Sequence, residues 1–449
     1  MKNGLSNMKY PSVFCRKWIA CFAIIHCAHL HVCADYLIYE EEPINYSDTR
    51  PNDPVAKIVN EVNNGKVLLN TTDEKSFVLS FLDRLNIPVS SQVLVFSRTS
   101  FQNDRIRPQT PRAIYYSENY YIGWVQGGDL EIIAIDPQLG PIFYRMNTPF
   151  TGGSEIKLKR DAQCMNCHGG SKTDGVPGML VRSVYPNYFG QPILSAGTHL
   201  TDHSSPLNER WGGWFVTGEN AGKRHMGNAY FEEGKSRDAS LVKDFGVPLE
   251  NLEDAFDVSR YLTDKSDIVS LMVMEHQIMA HNAITKAHLN TRRWLNLDAA
   301  MAKQVGRPEG KISDAVLGYI DHSAKDMLKI FLFSNEINLE AWGVEGSEDF
   351  QCDFASYSRA DQSGDSLRDL QLLSRLFKNR LSYMIHSSSF EYLHPIMKKA
   401  FYRKLWDALL GKDKDGIASH IKDKERARIV SILQATKKGL PNYWKSSKP

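Results

Sequence analysis

Apolar positions recur at helical spacing in two parts of the chain and at strand spacing in a third. Residues 54–62 and 73–85 carry apolar side chains at intervals of three and four, which predicts two helices. Residues 91–96 predict a strand. Four short β-rich runs follow at 113–116, 121–125, 130–135 and 141–145, separated by turn signals at Gly127-Gly128-Asp129 and at 136–140. A small antiparallel sheet is the expected result. Residues 152–235 are rich in glycine, proline and aromatics and show little periodicity. Beyond them the pattern turns helical. Val269, Met272, Val273, His276, Met279, Ala280 and Ala283 share one helical face, with Ser266 as the expected N-cap. Leu370, Leu373, Phe377, Leu381 and Met384 repeat that spacing and predict a further helix. The expected class is α+β: a mixed domain over 35–151, a glycine-rich region over 152–235 and a mainly helical region over 236–449.

The first 34 residues have the three-part form of a secretion signal. Lys2, Lys9, Arg16 and Lys17 precede an apolar run over 18–32, and Val32-Cys33-Ala34 offers a cleavage site. Met8 is an alternative start. His26, His29 and His31 are unusual in such a run, and an uncleaved anchor is the competing reading. Cleavage removes four basic residues and no acid, which takes the formal charge from +2 to −2. Bulk charge therefore points to no nucleic-acid partner. The last stretch, from Met397, holds 14 Lys or Arg against 5 Asp or Glu, read as a solvated helical face rather than a docking patch. Cys15, Cys21, Cys27 and Cys33 leave with the signal. Only Cys164, Cys167 and Cys352 remain, too few for a disulfide scaffold, and Cys352 reads as a small buried hydrophobe.

Cys164, Cys167 and His168 form a Cys-x-x-Cys-His motif. Covalent haem attachment needs two thiols spaced to meet two vinyl groups, with an imidazole beside the second thiol to ligate the iron. For 7 Cys and 14 His in 449 residues, chance would supply the pattern roughly 0.003 times. A thioredoxin-like pair would want a βαβ setting, and a zinc site would want a second cysteine pair. A local disulfide would leave His168 unexplained.

The motif resembles that of the c-type cytochromes. That likeness implies haem c, one per chain, with Cys164 and Cys167 as thioether anchors and His168 as the proximal iron ligand. Several stretches, at 88–97, 176–186, 197–203, 209–218 and 224–228, are similar to a group of largely uncharacterised bacterial proteins described as cytochrome c domain-containing. Small cytochromes place the motif near the start of a compact helical domain, whereas here a mixed domain precedes it. Candidates for the sixth ligand are His225 and Met226 first, then His276, with His199 and Met179 behind. Arg182 and Arg224, with Arg160 and Arg210, are candidate propionate partners. Trp211, Trp214 and Tyr185 are candidate walls against water. The leading expectation is a periplasmic electron carrier with a redox partner protein. The alternatives are a haem enzyme, kept open by His225 beside Arg224 for peroxide chemistry, and a haem-based sensor.

Overall fold

A computed structural model describes residues 37–151, 155–231, 246–339 and 343–444. The expected signal over 1–34 lies outside the described residues. Helix α1 (Pro54–Asn63) starts where the sequence predicts, because the Asp53 carboxylate accepts the amides of Val55 and Ala56 and Pro54 occupies the first helical position. Asp73 caps α2 (Glu74–Arg84) through the Ser76 amide at 2.8 Å.

Strands β1 (Val93–Val95), β2 (Arg112–Tyr116), β3 (Tyr120–Trp124), β4 (Leu130–Asp136), β5 (Gly140–Met146) and β6 (Leu158–Arg160) form one antiparallel sheet in chain order. The register sets Ile132 opposite Tyr144 and Ile133 opposite Phe143. Alternation then gives the sheet two faces. Tyr115, Ile122, Trp124, Ile132, Ile142 and Tyr144 pack with residues of α1 and α2 in one apolar cluster. Tyr116, Tyr121 and Ile135 belong to a second cluster, shared with the long helix described below.

The glycine-rich region contributes a short helical turn, a 3-10 turn at Ala162–Cys164 running into α3 (Met165–His168), and the β7 (Arg182–Val184) and β8 (Thr198–Leu200) hairpin. Helix α4 (Ile268–Gln304) has 37 residues and is capped by Asp267, which accepts the Ser270 amide. The expected cap, Ser266, instead donates its hydroxyl to the Phe215 carbonyl. The remaining helices are α5 (Asp314–Phe331), α6 (Glu348–Ser356), α7 (Ser388–Glu391), α8 (Pro395–Leu409) and α9 (Asp423–Thr436). The α+β class is as expected, with 39% helix and 14% strand.

The helix expected over 370–384 does not form. Leu370 and Phe377 pair in an antiparallel bridge, and only Tyr383–His386 makes a 3-10 turn. The amides such a helix would use go elsewhere: Ser374 and Arg375 donate to the Gln371 side chain, and Leu376 donates to Glu336. Leu372 also sits at φ 56°, in the left-handed region. No helix among the described residues is long and apolar enough to cross a membrane.

Candidate functional site

The helical run over 162–168 is started by the Asp161 carboxylate, which accepts the Gln163 amide. On such a run residues 164, 167 and 168 stand at i, i+3 and i+4, so both thiols and the imidazole leave one side. Cys164 is half-buried and Cys167 exposed, and both are free thiols. Burial pushes the Cys164 thiol up to about 11, with Asp161 and Glu131 adding to the shift.

His168 is held from two directions. Its ring lies 4.6 Å from that of Phe143 on β5, tilted by 31°. Its Nδ1 is 2.8 Å from the Gly178 carbonyl, and the Gly178 amide donates back to the His168 carbonyl. A carbonyl only accepts, so Nδ1 carries the proton and Nε2 keeps its lone pair. Burial lowers the His168 pKa, so the neutral imidazole is favoured. The Gly178 segment is fixed in turn by Asn282 of α4, which bonds the Met179 amide at 2.9 Å and the Met179 carbonyl at 2.8 Å. A Cβ on Gly178 would meet Thr173 at 2.8 Å, so glycine keeps this approach close.

A charged row flanks the motif. Arg145 of β5 stands 3.4 Å from Asp129 and 3.7 Å from Asp161. Arg112 of β2 pairs with Glu131, and both stand close enough to bias His168 in opposite senses. The Arg112 Nε is buried without an acceptor. These two arginines were not among the expected propionate partners. Period-two alternation was the available signal, since it puts Arg145 on the face of Phe143.

The residues expected on the far side of an iron gather elsewhere. Arg210 and Glu275 form a fully buried ion pair at 2.9 Å, and the Trp211 indole donates to the same carboxylate. Burial pushes the Glu275 carboxyl up, while Arg210 and Trp211 pull it back. Around this pair lie His225, edge-on to Trp211 at 5.2 Å, and Met226, whose amide donates to the Arg210 carbonyl. His199 bonds Ser205, whose carbonyl accepts from Arg210 Nε. His276 follows Glu275 on α4 and is a satisfied core histidine: it bonds Ser382 at 2.7 Å and stacks on Phe333 at 4.0 Å. Of these, His225 keeps both ring nitrogens buried with no well-formed hydrogen bond, and burial lowers its pKa to about 4 against a weak opposing effect of the Gly227 backbone. Glu275 and Asn282 lie seven positions apart on α4, roughly 10 Å along its axis. Met179 adjoins Gly178, on the Nδ1 side of His168, and so lies behind that imidazole rather than across from its Nε2.

Other expectations change on structural grounds. Arg160 is committed to the carbonyls of Tyr46, Ser47 and Thr49 and stacks on Tyr46, so it is not available to a propionate. Arg210 is likewise committed to Glu275. Arg182 reaches Thr198 at 3.3 Å, and the Trp214 indole donates to the Arg182 carbonyl. Arg224 is exposed while His225 is wholly buried, so the two do not form a peroxide-type pair. Tyr185 is a buried core residue, and Cys352, expected inside, is exposed on α6.

The fold is thus α+β, and one short turn presents two free thiols and a braced imidazole. No family model matches the chain, and no curated protein or solved structure is similar to it at a significant level. Among the described residues no three His, Cys, Asp or Glu side chains converge to hold a metal ion by themselves. The donor set instead suits a group that takes thiols at its edge and one imidazole at its metal.

Proposed function

We propose that this chain is an exported single-haem c-type cytochrome that carries electrons to or from a redox partner protein. Cys164 and Cys167 would hold the haem as thioethers, and Nε2 of His168 would ligate its iron. The observation that carries the reading is the 2.8 Å bond from His168 Nδ1 to the Gly178 carbonyl. It fixes the tautomer and aims a free lone pair from the same turn that presents two free thiols. When bound, haem c supplies reversible one-electron chemistry at iron. The chain's own contributions are orientation and charge. Phe143 limits rotation of the imidazole, Asn282 locks the Gly178 segment, and Arg112 and Arg145 offer guanidinium donors beside the motif. Export rests on the basic, apolar, small-residue order of residues 1–34.

The test is the absorption spectrum of protein made with a cytochrome maturation system, taken oxidised, reduced, and reduced under carbon monoxide. The expected result is a haem signal that survives denaturation and is lost in Cys164→Ser/Cys167→Ser. Absence of covalent haem would overturn the reading. A clear carbon monoxide shift would overturn the electron-carrier part and favour an open-site enzyme or sensor.

A further inference from the structure

Helix α4 carries a second unusual group, well along from the residues that brace the motif. His288 is 93 % buried, and neither of its ring nitrogens has a hydrogen-bond partner. Its exposure is 7 %. His394, the residue before α8, also has its Nδ1 buried and unpartnered. Buried polar atoms without partners are uncommon in folded proteins, and each calls for a reason. Here the two imidazoles line one open cavity of about 480 Å³, within the range of small-molecule sites.

The rest of the lining sets the ligand's chemistry. Arg292 stands one helical turn beyond His288 on the same face. Its guanidinium is anchored by the carbonyls of Gln138 at 2.6 Å and Pro43 at 3.0 Å, and its five N–H donors exceed those two acceptors. Asn296 and Tyr392 add an amide and a phenol, while Pro43, Leu295 and Pro395 supply apolar surface. Among the described residues that line the cavity, none is acidic. Asp136, the acid whose charge bears on Arg292, is itself buried and accepts the amides of Asn52, Gln138 and Leu139. A divalent cation would meet a fixed positive charge here and no carboxylate, whereas an anion would meet a guanidinium and several neutral donors.

The geometry points to a binding site for a small organic carboxylate, its anionic end taken by Arg292, His288 and His394 and its apolar body by Pro43, Leu295 and Pro395. The site is separate from the attachment motif and does not depend on the haem reading. Neutral imidazoles whose nitrogens are unpartnered in the empty cavity gain hydrogen bonds when the carboxylate arrives, which favours binding without rearrangement of the backbone.

The experiment is isothermal titration of the full-length protein with sodium benzoate and, separately, with benzamide, its uncharged counterpart. Saturable benzoate binding is expected, with benzamide at least tenfold weaker. His288→Leu should weaken benzoate at least tenfold while leaving the melting temperature unchanged or higher, because it removes two unpartnered buried nitrogens. A purely structural histidine would instead lower the melting temperature. His394→Gln serves as the milder second variant and should also weaken benzoate. Equal binding of benzoate and benzamide, or no binding of benzoate, acetate or phosphate up to about 10 mM, would overturn the proposal. So would zinc binding that His288→Leu abolishes in a protein indifferent to benzoate.

Discussion

Replacing Arg210 by Met should cost about 4 kcal/mol of stability, while replacing both Arg210 and Glu275 should cost only about 2. Both side chains are fully buried, and they meet at 2.9 Å. In Arg210→Met the Glu275 carboxylate keeps only the Trp211 indole, and the carbonyls of Ser205 and His203 lose their guanidinium donors. A carboxyl stranded in the interior, which must stay ionised or take up a proton, is the larger penalty, and breaking one partner of a buried pair costs about 3–5 kcal/mol. In Arg210→Met/Glu275→Leu that charge is gone. The Trp211 indole and two carbonyls are then short of partners, worth about 1–3 kcal/mol together. Glu275→Leu strands the Arg210 guanidinium in the same way and should also cost about 3–5 kcal/mol, so the double variant should be milder than either single and the coupling should exceed about 4 kcal/mol in magnitude. Urea unfolding of the full-length protein, read by tryptophan fluorescence with an unchanged dependence on urea, measures all three variants. An Arg210→Met loss below about 1 kcal/mol, or a double variant equal to the sum of the singles, would refute the account. It would also revive Arg210 as a partner of a haem propionate, which predicts a shifted reduction potential at nearly constant stability.

Gly140→Ala should destabilise by about 2–4 kcal/mol: Gly140 has φ +76°, and a Cβ there would stand 2.6 Å from the Thr285 methyl group. A neutral effect in a melting experiment would contradict the close contact between the hairpin and α4. In protein made without haem attachment, Cys164 should alkylate slowly at pH 8, because burial, then Asp161 and Glu131, hold its thiol up at about 11. Mass spectrometry after iodoacetamide treatment checks this, with Asp161→Asn expected to speed the reaction; labelling of Cys164 as fast as exposed Cys352 would count against it. Stability should also fall as the solution is acidified. Burial lowers His203, His225 and His281 to about 4 and His288 and His386 to about 3, so the unfolded chain takes up protons first, and their contribution is present above about pH 6.5 and lost toward pH 4. Glu336, raised to about 7 by burial, and Asp267, raised to about 6, act in the opposite sense, losing stability as pH rises from about 4 toward those values. Urea midpoints between pH 4 and 8 should follow the more numerous histidines, and a midpoint that rises on acidification would contradict them.

Local signals survive folding where local chemistry decides the outcome. Asp53 and Asp73 announce α1 and α2 because each carboxylate caps the helix that follows it. The meander is legible from alternation and from turn residues such as Asp136, whose carboxylate takes the amides of Gln138 and Leu139. The motif is legible because its chemistry lies within five residues. The failures share one cause, which is that distant groups claim what a local pattern offers. Ser266 and Asp267 are both good caps in sequence, and the Phe215 carbonyl draws the first away. The apolar spacing over 370–384 is genuine, but Gln371 and Glu336 capture the amides a helix would need. The Arg210–Glu275 pair spans 65 positions and leaves no mark at three-or-four spacing. Arg112 and Arg145 reach the motif only because the register of the sheet carries them there.

The size of the chain, excessive for a simple electron shuttle, acquires a physical role along α4. This helix touches the molecule's polar features in sequence: Glu275 fixes Arg210 and Trp211, Asn282 clamps Met179 behind His168, and His288 with Arg292 lines the open cavity. Thr285 meanwhile presses on the β4–β5 turn that leads into Phe143. Both supports of the His168 ring, the Gly178 carbonyl and the Phe143 face, therefore depend on how α4 docks. Displacing the helix by a fraction of an ångström would reach the imidazole by two routes at once, through Asn282 and through the hairpin. In the proposed reading that makes the helical region a frame for axial ligation, because orientation and hydrogen bonding of a ligating histidine are among the levers by which a protein tunes a bound iron. It also places a ligand at His288 and Arg292 on the same rigid element, within a few turns of the residue that clamps the motif.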